Sequence, residues 1–484
     1  MMRALAIILS CGLLAGCLGL DPYRQAPVAQ RLQQIDALGD CARLFQASDR
    51  LVDAAGTRDA QAPRVPGFPY LRVDRLLAEV AAQSHFTAPQ AQAWSAALAA
   101  LDSAARRIEL GNSGHDAAAP IDALTACRQL LALADQHELP ALLEAARVPD
   151  DYSTGMRALG LYPLTRYAFA AGIRNWQRDT QAAFAAQAAA DPFAAARRRY
   201  IAGESLDAVP TLQELPDLGL PVRTRQTLAS LIVRHAPQLD IATASDADRP
   251  GALLWQRDSD ERLRIGVALD QPVLYVRTSH AHFSGRWLLQ LIYTAWFAAR
   301  PPAHAYDVLA GRLDGLLWRV TLAEDGNPLV YDTIHPCGCY HLFIPTEGVR
   351  ARPQPESIDE SLFSPQTLHT PATHERVVLK LAAGTHYLQG VEIDAARPDQ
   401  RVVLALRDDD ELRTLPLPDG GTRSAFAPDG MIAGSERRER FYFWPMGVLS
   451  AGQMRQWGRH ATAFVGRRHF DDPTLIDRYF ERLP

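Results

Sequence analysis

The sequence predicts an α+β protein, an all-α helical region followed by a domain built on an antiparallel sheet. Three observations carry that expectation. From about residue 29 to His235 the chain is rich in alanine, with larger apolar residues recurring at spacings of three and four. Near Pro237–Pro250 the texture changes to short runs of valine, leucine and aromatic residues. Those runs are separated by turn-forming clusters, as strands are. The expected layout is a leader over 1–16, a tether over 17–30, a helical domain over 31–235 and a β-rich domain over 255–484.

The helical elements follow from periodicity. Trp94, Leu98, Leu101, Ala105 and Ile108 mark one face of a helix over Pro89–Leu110. Leu124, Cys127 and Leu131 do the same for Ile121–Ala134, and Asp74–Gln83 and Arg174–Ala190 are further helices. Val65-Pro66-Gly67-Phe68-Pro69 and Pro149-Asp150-Asp151 interrupt the series. In the second half, Leu263–Leu269 and Val273–Thr278 flank Asp270-Gln271-Pro272 and predict a hairpin. Trp287–Phe297 predicts a buried strand. Leu316–Leu322 and Leu329–Ile334 flank Glu324-Asp325-Gly326-Asn327-Pro328, a stronger hairpin signal. Arg376–Leu381, Val391–Ile393, Val402–Leu406 and Phe441–Trp444 read as strands, and Gln453–Phe464 and Pro473–Arg482 as helices.

The chain has 484 residues, a net charge of −5, 48% hydrophobic and 22% charged residues, the balance of an ordinary globule with room for two or three domains. The acidic balance argues against a nucleic-acid partner. Lys380 is the single lysine, so arginine carries the positive charge, a bias that a GC-rich genome explains together with abundant alanine.

Residues 14–17 read Leu14-Ala15-Gly16-Cys17, after Arg3 and an apolar run from Ala4 to Gly16. That layout resembles the signal peptides of bacterial lipoproteins. The resemblance covers the first seventeen residues and implies cleavage before Cys17, lipidation of Cys17 and a membrane anchor of lipid. Leu18 follows the cysteine, where in that family an aspartate commonly keeps the protein in the inner membrane. The expected address is therefore the outer membrane, facing the periplasm, with an envelope protein or glycan as partner.

An oxidising compartment permits disulfides. Cys41 and Cys127 lie in helical patterns near the apolar face, and either a bridge between them or two buried thiols fits. Ten of the fourteen histidines lie from His280 onward. The densest group is His335-Pro336-Cys337-Gly338-Cys339-Tyr340-His341, and His280-Ala281-His282 forms a second. These residue types bind zinc or copper. On a straight strand His335, Cys337, Cys339 and His341 would span about 20 Å, so one ion requires a turn at Pro336 and Gly338 or help from His280 and His282. The competing readings are a Cys337–Cys339 disulfide and a bridge from either to Cys41 or Cys127. A metal-dependent hydrolase built on this cluster is the alternative to a binding or assembly role.

No Gly-x-Ser-x-Gly elbow, His-Glu-x-x-His helix or phosphate loop is present. Ser284 lacks the setting of a nucleophile. Asp408-Asp409-Asp410-Glu411 lacks the alternating pattern of a calcium loop and reads as a solvated turn. Arg455 and Arg459, four apart on an expected helix, are candidates for holding a carboxylate or anionic glycan, for meeting the acidic lipid surface, or for pairing with Asp471 and Asp472.

Overall fold

The computed structural model describes residues 35–83, 85–114, 118–189, 196–395 and 401–483. The leader, Cys17 and the tether lie outside the described residues. The front of the chain is helical, as expected: α1 (Ala37–Ala55), α2 (Arg75–Gln83), α3 (Ala88–Asn112), α4 (Ala118–Ala134), α5 (Leu139–Ala145), α6 (Thr154–Leu159) and α7 (Tyr162–Ala189). Local chemistry sets the ends. The Asp36 carboxylate accepts from the Gly39 N–H at 2.9 Å to start α1, and Gly56, in the left-handed region, stops it. Thr87 and Gln90 form a capping box at α3.

The Val65–Pro69 interruption is a small hairpin, β1 (Arg64–Val65) and β2 (Phe68–Arg72), buried against these helices. Arg72 ties it to α3 through two hydrogen bonds to the Glu109 carboxylate, at 2.8 and 2.7 Å. Cys41 on α1 and Cys127 on α4 are disulfide-bonded, their Cα atoms 5.1 Å apart. Phe45, Trp94, Leu98 and Leu131 complete this core around them.

The second half is built from β3 (Arg197–Leu206), α8 (Arg225–His235), β4 (Gln238–Ala242), β5 (Ala252–Arg257), β6 (Leu263–Ala268), β7 (Val273–Phe283), β8 (Arg286–Arg300), β9 (Gly311–Leu322), β10 (Pro328–Ile334), β11 (Leu342–Pro345), β12 (Val349–Ala351), β13 (Arg376–Leu381), β14 (Leu388–Asp394) and β15 (Arg401–Asp408). Short β16 (Leu415–Pro416), β17 (Thr422–Arg423), α9 (Arg440–Phe443), α10 (Leu475–Tyr479) and β18 (Phe480–Arg482) follow. A ten-stranded sheet runs β11-β10-β9-β8-β7-β15-β3-β4-β13-β14.

That sheet corrects the expectation of an all-antiparallel one. β15 pairs parallel with both β3 and β7, and β4 pairs parallel with β13. Long excursions separate these partners in sequence, and a long connection is what a parallel pair requires. Both faces of the sheet are covered. On β8, Leu289, Leu291, Tyr293, Ala295 and Phe297 join the core beneath α8, while Leu288, Ile292 and Trp296 face the opposite side. Double burial explains why Trp287–Phe297 reads as a continuous apolar run.

The β9–β10 hairpin forms as its turn signal predicts. The expected Leu263–Leu269/Val273–Thr278 hairpin does not. β6 pairs with β5, and β7 pairs with β8 and β15, so Asp270-Gln271-Pro272 passes between two sheets. There the Pro272 carbonyl accepts from the Ala405 N–H at 2.9 Å, which binds the connection to the neighbouring strand. Phe441–Trp444 is a single helical turn running into a 3-10 turn, not a strand. Gln453–Phe464 is irregular, not helical. Gly452 and Gly458 take φ of 82° and 86°, and the backbone bonds outward, Arg455 N–H to the Pro336 carbonyl and Gln456 N–H to that of Gly430. Pro473–Arg482 is helical only over α10.

Candidate functional site

The predicted histidine–cysteine residues do not meet at one point. Pairing runs Ile334 to Leu317, Leu317 to Thr294 and Thr294 to Tyr275, so His335 lies near the level of Tyr275. His280 is five residues farther along β7, roughly 17 Å, and three strands away, roughly 14 Å. Among the described residues no group of three or more His, Cys, Asp or Glu is placed to hold a metal ion.

Each histidine has its own surroundings. His282 packs edge-on against Trp287 at 5.1 Å. His341 Nε2 meets Asp332 at 2.9 Å, and Asp332 also takes the Arg319 guanidinium at 2.8 and 2.6 Å. Burial, only partly offset by Asp332, pushes the His341 pKa down to about 3. His280 is buried, neither ring nitrogen has a hydrogen-bond partner among the described residues, and burial followed by the Arg223 charge brings its pKa to about 3.

An unpartnered buried imidazole costs stability, so His280→Leu should raise stability by about 1–3 kcal/mol, read from the urea midpoint at pH 7.5. The gain should grow as pH falls below ~6.5, by ~1.4 kcal/mol per unit, because the unfolded chain takes up a proton that the folded ring refuses. A destabilised leucine variant would contradict this account.

His335 belongs to a buried ionic cluster that sequence reading missed. Asp314 on β9 accepts from His335 Nδ1 at 3.1 Å, His386 Nδ1 at 2.9 Å and Arg437 Nη2 at 3.2 Å. His386 Nε2 lies 3.4 Å from Asp248, and its ring stacks on Phe297 at 3.9 Å. Burial opposes charge on Asp314, yet His335 and Arg437 hold its carboxyl well below the usual range. Burial likewise opposes charge on His386, and its bonds to Asp248 and Asp314 raise its pKa above the usual value.

Arg455 and Arg459 are not on a helix. Arg455 donates to the Leu449 and Ser450 carbonyls, and Arg459 pairs with Asp151 at 2.9 Å. Asp471 is taken by Arg75 and Asp472 by Arg478. The acidic run 408–411 is not a free turn either, because Asp409 and Asp410 pair with Arg277.

One cavity, of about 490 Å³, brings part of the predicted cluster together with residues from three other segments. Ala168, Phe169, Gly172, Ile173 and Trp176 of α7 form one wall, at the spacing of a single helical face. The turn Cys337–His341 forms the opposite wall, closed by bonds from Gly338 N–H to the His335 carbonyl at 2.8 Å and from His335 N–H to that of Cys339 at 3.0 Å. Gly338 has φ of 88°, and a Cβ there would lie 2.4 Å from the Ala461 carbonyl oxygen, so this turn requires glycine. Tyr387, Glu439, Phe443 and Ala461–Phe464 complete the walls, which are mostly apolar.

Ala168 and Gly172 are exposed at the rim, whereas Cys337 and Cys339 are buried, free thiols. The hydrogen bond from Cys339 makes the Cys337 thiol more acidic than usual, and its counterpart drives Cys339 the other way. Burial lifts the Glu439 pKa to about 7 against the pull of Arg437 and Arg300. Tyr340 and Tyr387 stack edge-on at 4.6 Å, and Tyr387 accepts from Arg300 at 3.0 Å. The chamber is thus apolar towards α7 and acid–thiol–phenol at its inner wall. Of the sequence candidates it gathers Cys337, Cys339 and His341. Glu439, Tyr387 and the front half of α7, before the expected helix over Arg174–Ala190, were missed, although the apolar spacing of Phe169, Ile173 and Trp176 was readable.

Fold and cavity define an α+β protein whose mixed sheet backs an apolar chamber with two thiols in its wall. Compared with known proteins, the chain matches no family model, no curated protein and no solved structure.

Proposed function

We propose that this chain is a lipid-anchored cell-envelope protein, held by lipid on Cys17 at the periplasmic face of the outer membrane, that binds an apolar ligand in the α7 cavity. One observation carries the binding role: a chamber of about 490 Å³, within the range of small-molecule sites, with aromatic and aliphatic walls and a few polar groups at one end. The Leu14–Cys17 pattern supports the anchor, and the Cys41–Cys127 bridge fits an oxidising compartment. The ligand class is an acyl chain or comparable hydrocarbon, because the half-buried rings of Phe169, Trp176 and Phe464 offer dispersion contact and few hydrogen bonds.

The test uses the full chain in lipid nanodiscs titrated with cis-parinarate, with empty discs as reference. Saturable energy transfer from tryptophan is expected. Gly172→Phe places a ring at the rim, where a Cβ meets nothing within 4 Å among the described residues, and should weaken binding at least tenfold without unfolding α7. Equal affinity in both proteins would remove the cavity from the binding role.

A further inference from the structure

We propose that Cys337 is a nucleophile that takes the acyl group from a long-chain ester bound in the α7 cavity. The inference rests on the cavity reading and adds a reaction to it. Two free thiols share one wall of an apolar chamber while the other described cysteine pair is bridged. Cys337 is only 4% exposed, so an electrophile reaches it through the chamber, which favours apolar reagents over water-soluble ones.

The neighbours suit acyl transfer. Cys339 hydrogen-bonds the Cys337 sulfur, and the buried Arg437 favours its thiolate. The Glu439 carboxyl faces the same chamber. Gly452 gives it room, since a Cβ at that position would collide with Glu439 Oε1. The Tyr387 hydroxyl lines the same chamber and accepts from Arg300 Nη1 at 3.0 Å, which leaves its own proton as a donor for a developing oxyanion.

In the step, Glu439 takes the Cys337 proton and the sulfur lone pair attacks the ester carbonyl carbon. The tetrahedral oxyanion collapses, the carbon–oxygen ester bond breaks, and the alkoxide takes the proton back from Glu439. Thiol and ester become thioester and alcohol, with no change of oxidation state. A carboxyl that titrates near neutrality is suited to passing that proton both ways.

The experiment treats the full chain in nanodiscs with p-nitrophenyl dodecanoate and, separately, p-nitrophenyl acetate. Release of p-nitrophenolate and the intact mass are followed, and parinarate binding is read in parallel. One dodecanoyl group per chain is expected on Cys337, removable by neutral hydroxylamine and formed at least tenfold faster than the acetyl adduct. Cys337→Ser should abolish it, Cys339→Ser should retain it, and Glu439→Gln should slow it at least tenfold. Labelling that survives Cys337→Ser, or acetate reacting as fast as dodecanoate, overturns the proposal. Absent labelling with intact parinarate binding overturns the thiol role alone, and loss of both in the unmodified protein overturns the cavity reading too.

Discussion

Asp314→Ala should destabilise the protein by about 3–5 kcal/mol, enough to unfold a marginally stable chain at 37 °C. Asp314 is fully buried and is the shared anion of His335, His386 and Arg437. Its removal leaves the Arg437 and His386 charges facing each other without that compensation in a low-dielectric site. Asp314→Asn keeps the shape and one acceptor, and should cost less. Urea unfolding followed by near-ultraviolet circular dichroism measures both.

The pH dependence has a defined sign. The Asp314 carboxyl is depressed in the folded state, so its contribution is full above ~4 and is lost as pH falls through the lower folded value. His386 is raised, so its contribution is full below ~6.5 and is lost as pH rises through the higher folded value. The difference between wild type and Asp314→Ala should therefore be greatest between about pH 4 and 6.5. A loss under 1 kcal/mol across that window would show that the cluster does not hold the sheet to the segment bearing Arg437.

Removing the Cys41–Cys127 bridge by a double alanine substitution should cost about 4–5 kcal/mol in the chain-entropy model, because it closes a loop with a sequence separation of 86. The loss should fall on the helical front, where the bridge joins α1 to α4 beside Phe45, Trp94 and Leu98. Hydrogen exchange should show those helices opening before the sheet does. A thiol count on denatured, non-reduced protein should find Cys337 and Cys339 free among the described cysteines. Four free thiols would contradict the bridge, and none would contradict the free pair.

The helices over 88–112 and 118–134 were legible because their apolar residues repeat at the period of a helix against one core. The β9–β10 hairpin was legible because Gly326 and Asn327 sit between two apolar runs. The Cys41–Cys127 bridge was one of two open readings, and geometry chose between them. What was not legible depends on partners remote in sequence. Nothing near Val402–Leu406 says that it pairs parallel with both Arg197–Leu206 and β7. Asp314 looks like any strand-flanking acid until His386, 72 residues away, and Arg437, 123 residues away, are folded onto it. Arg455 and Arg459 misled because a spacing of four implies one face only on a helix, and the glycines at 452 and 458 prevent one.

By itself the sequence determined the α+β class, the helical front and the principal hairpin. These are local properties, set by periodicity and turn chemistry. Tertiary structure alone decided the mixed sheet, the ionic cluster at Asp314 and the chamber that places Cys337 opposite Trp176. Each requires several distant segments to converge, and the burial that lowers the His280 pKa and lifts that of Glu439 exists only once they have.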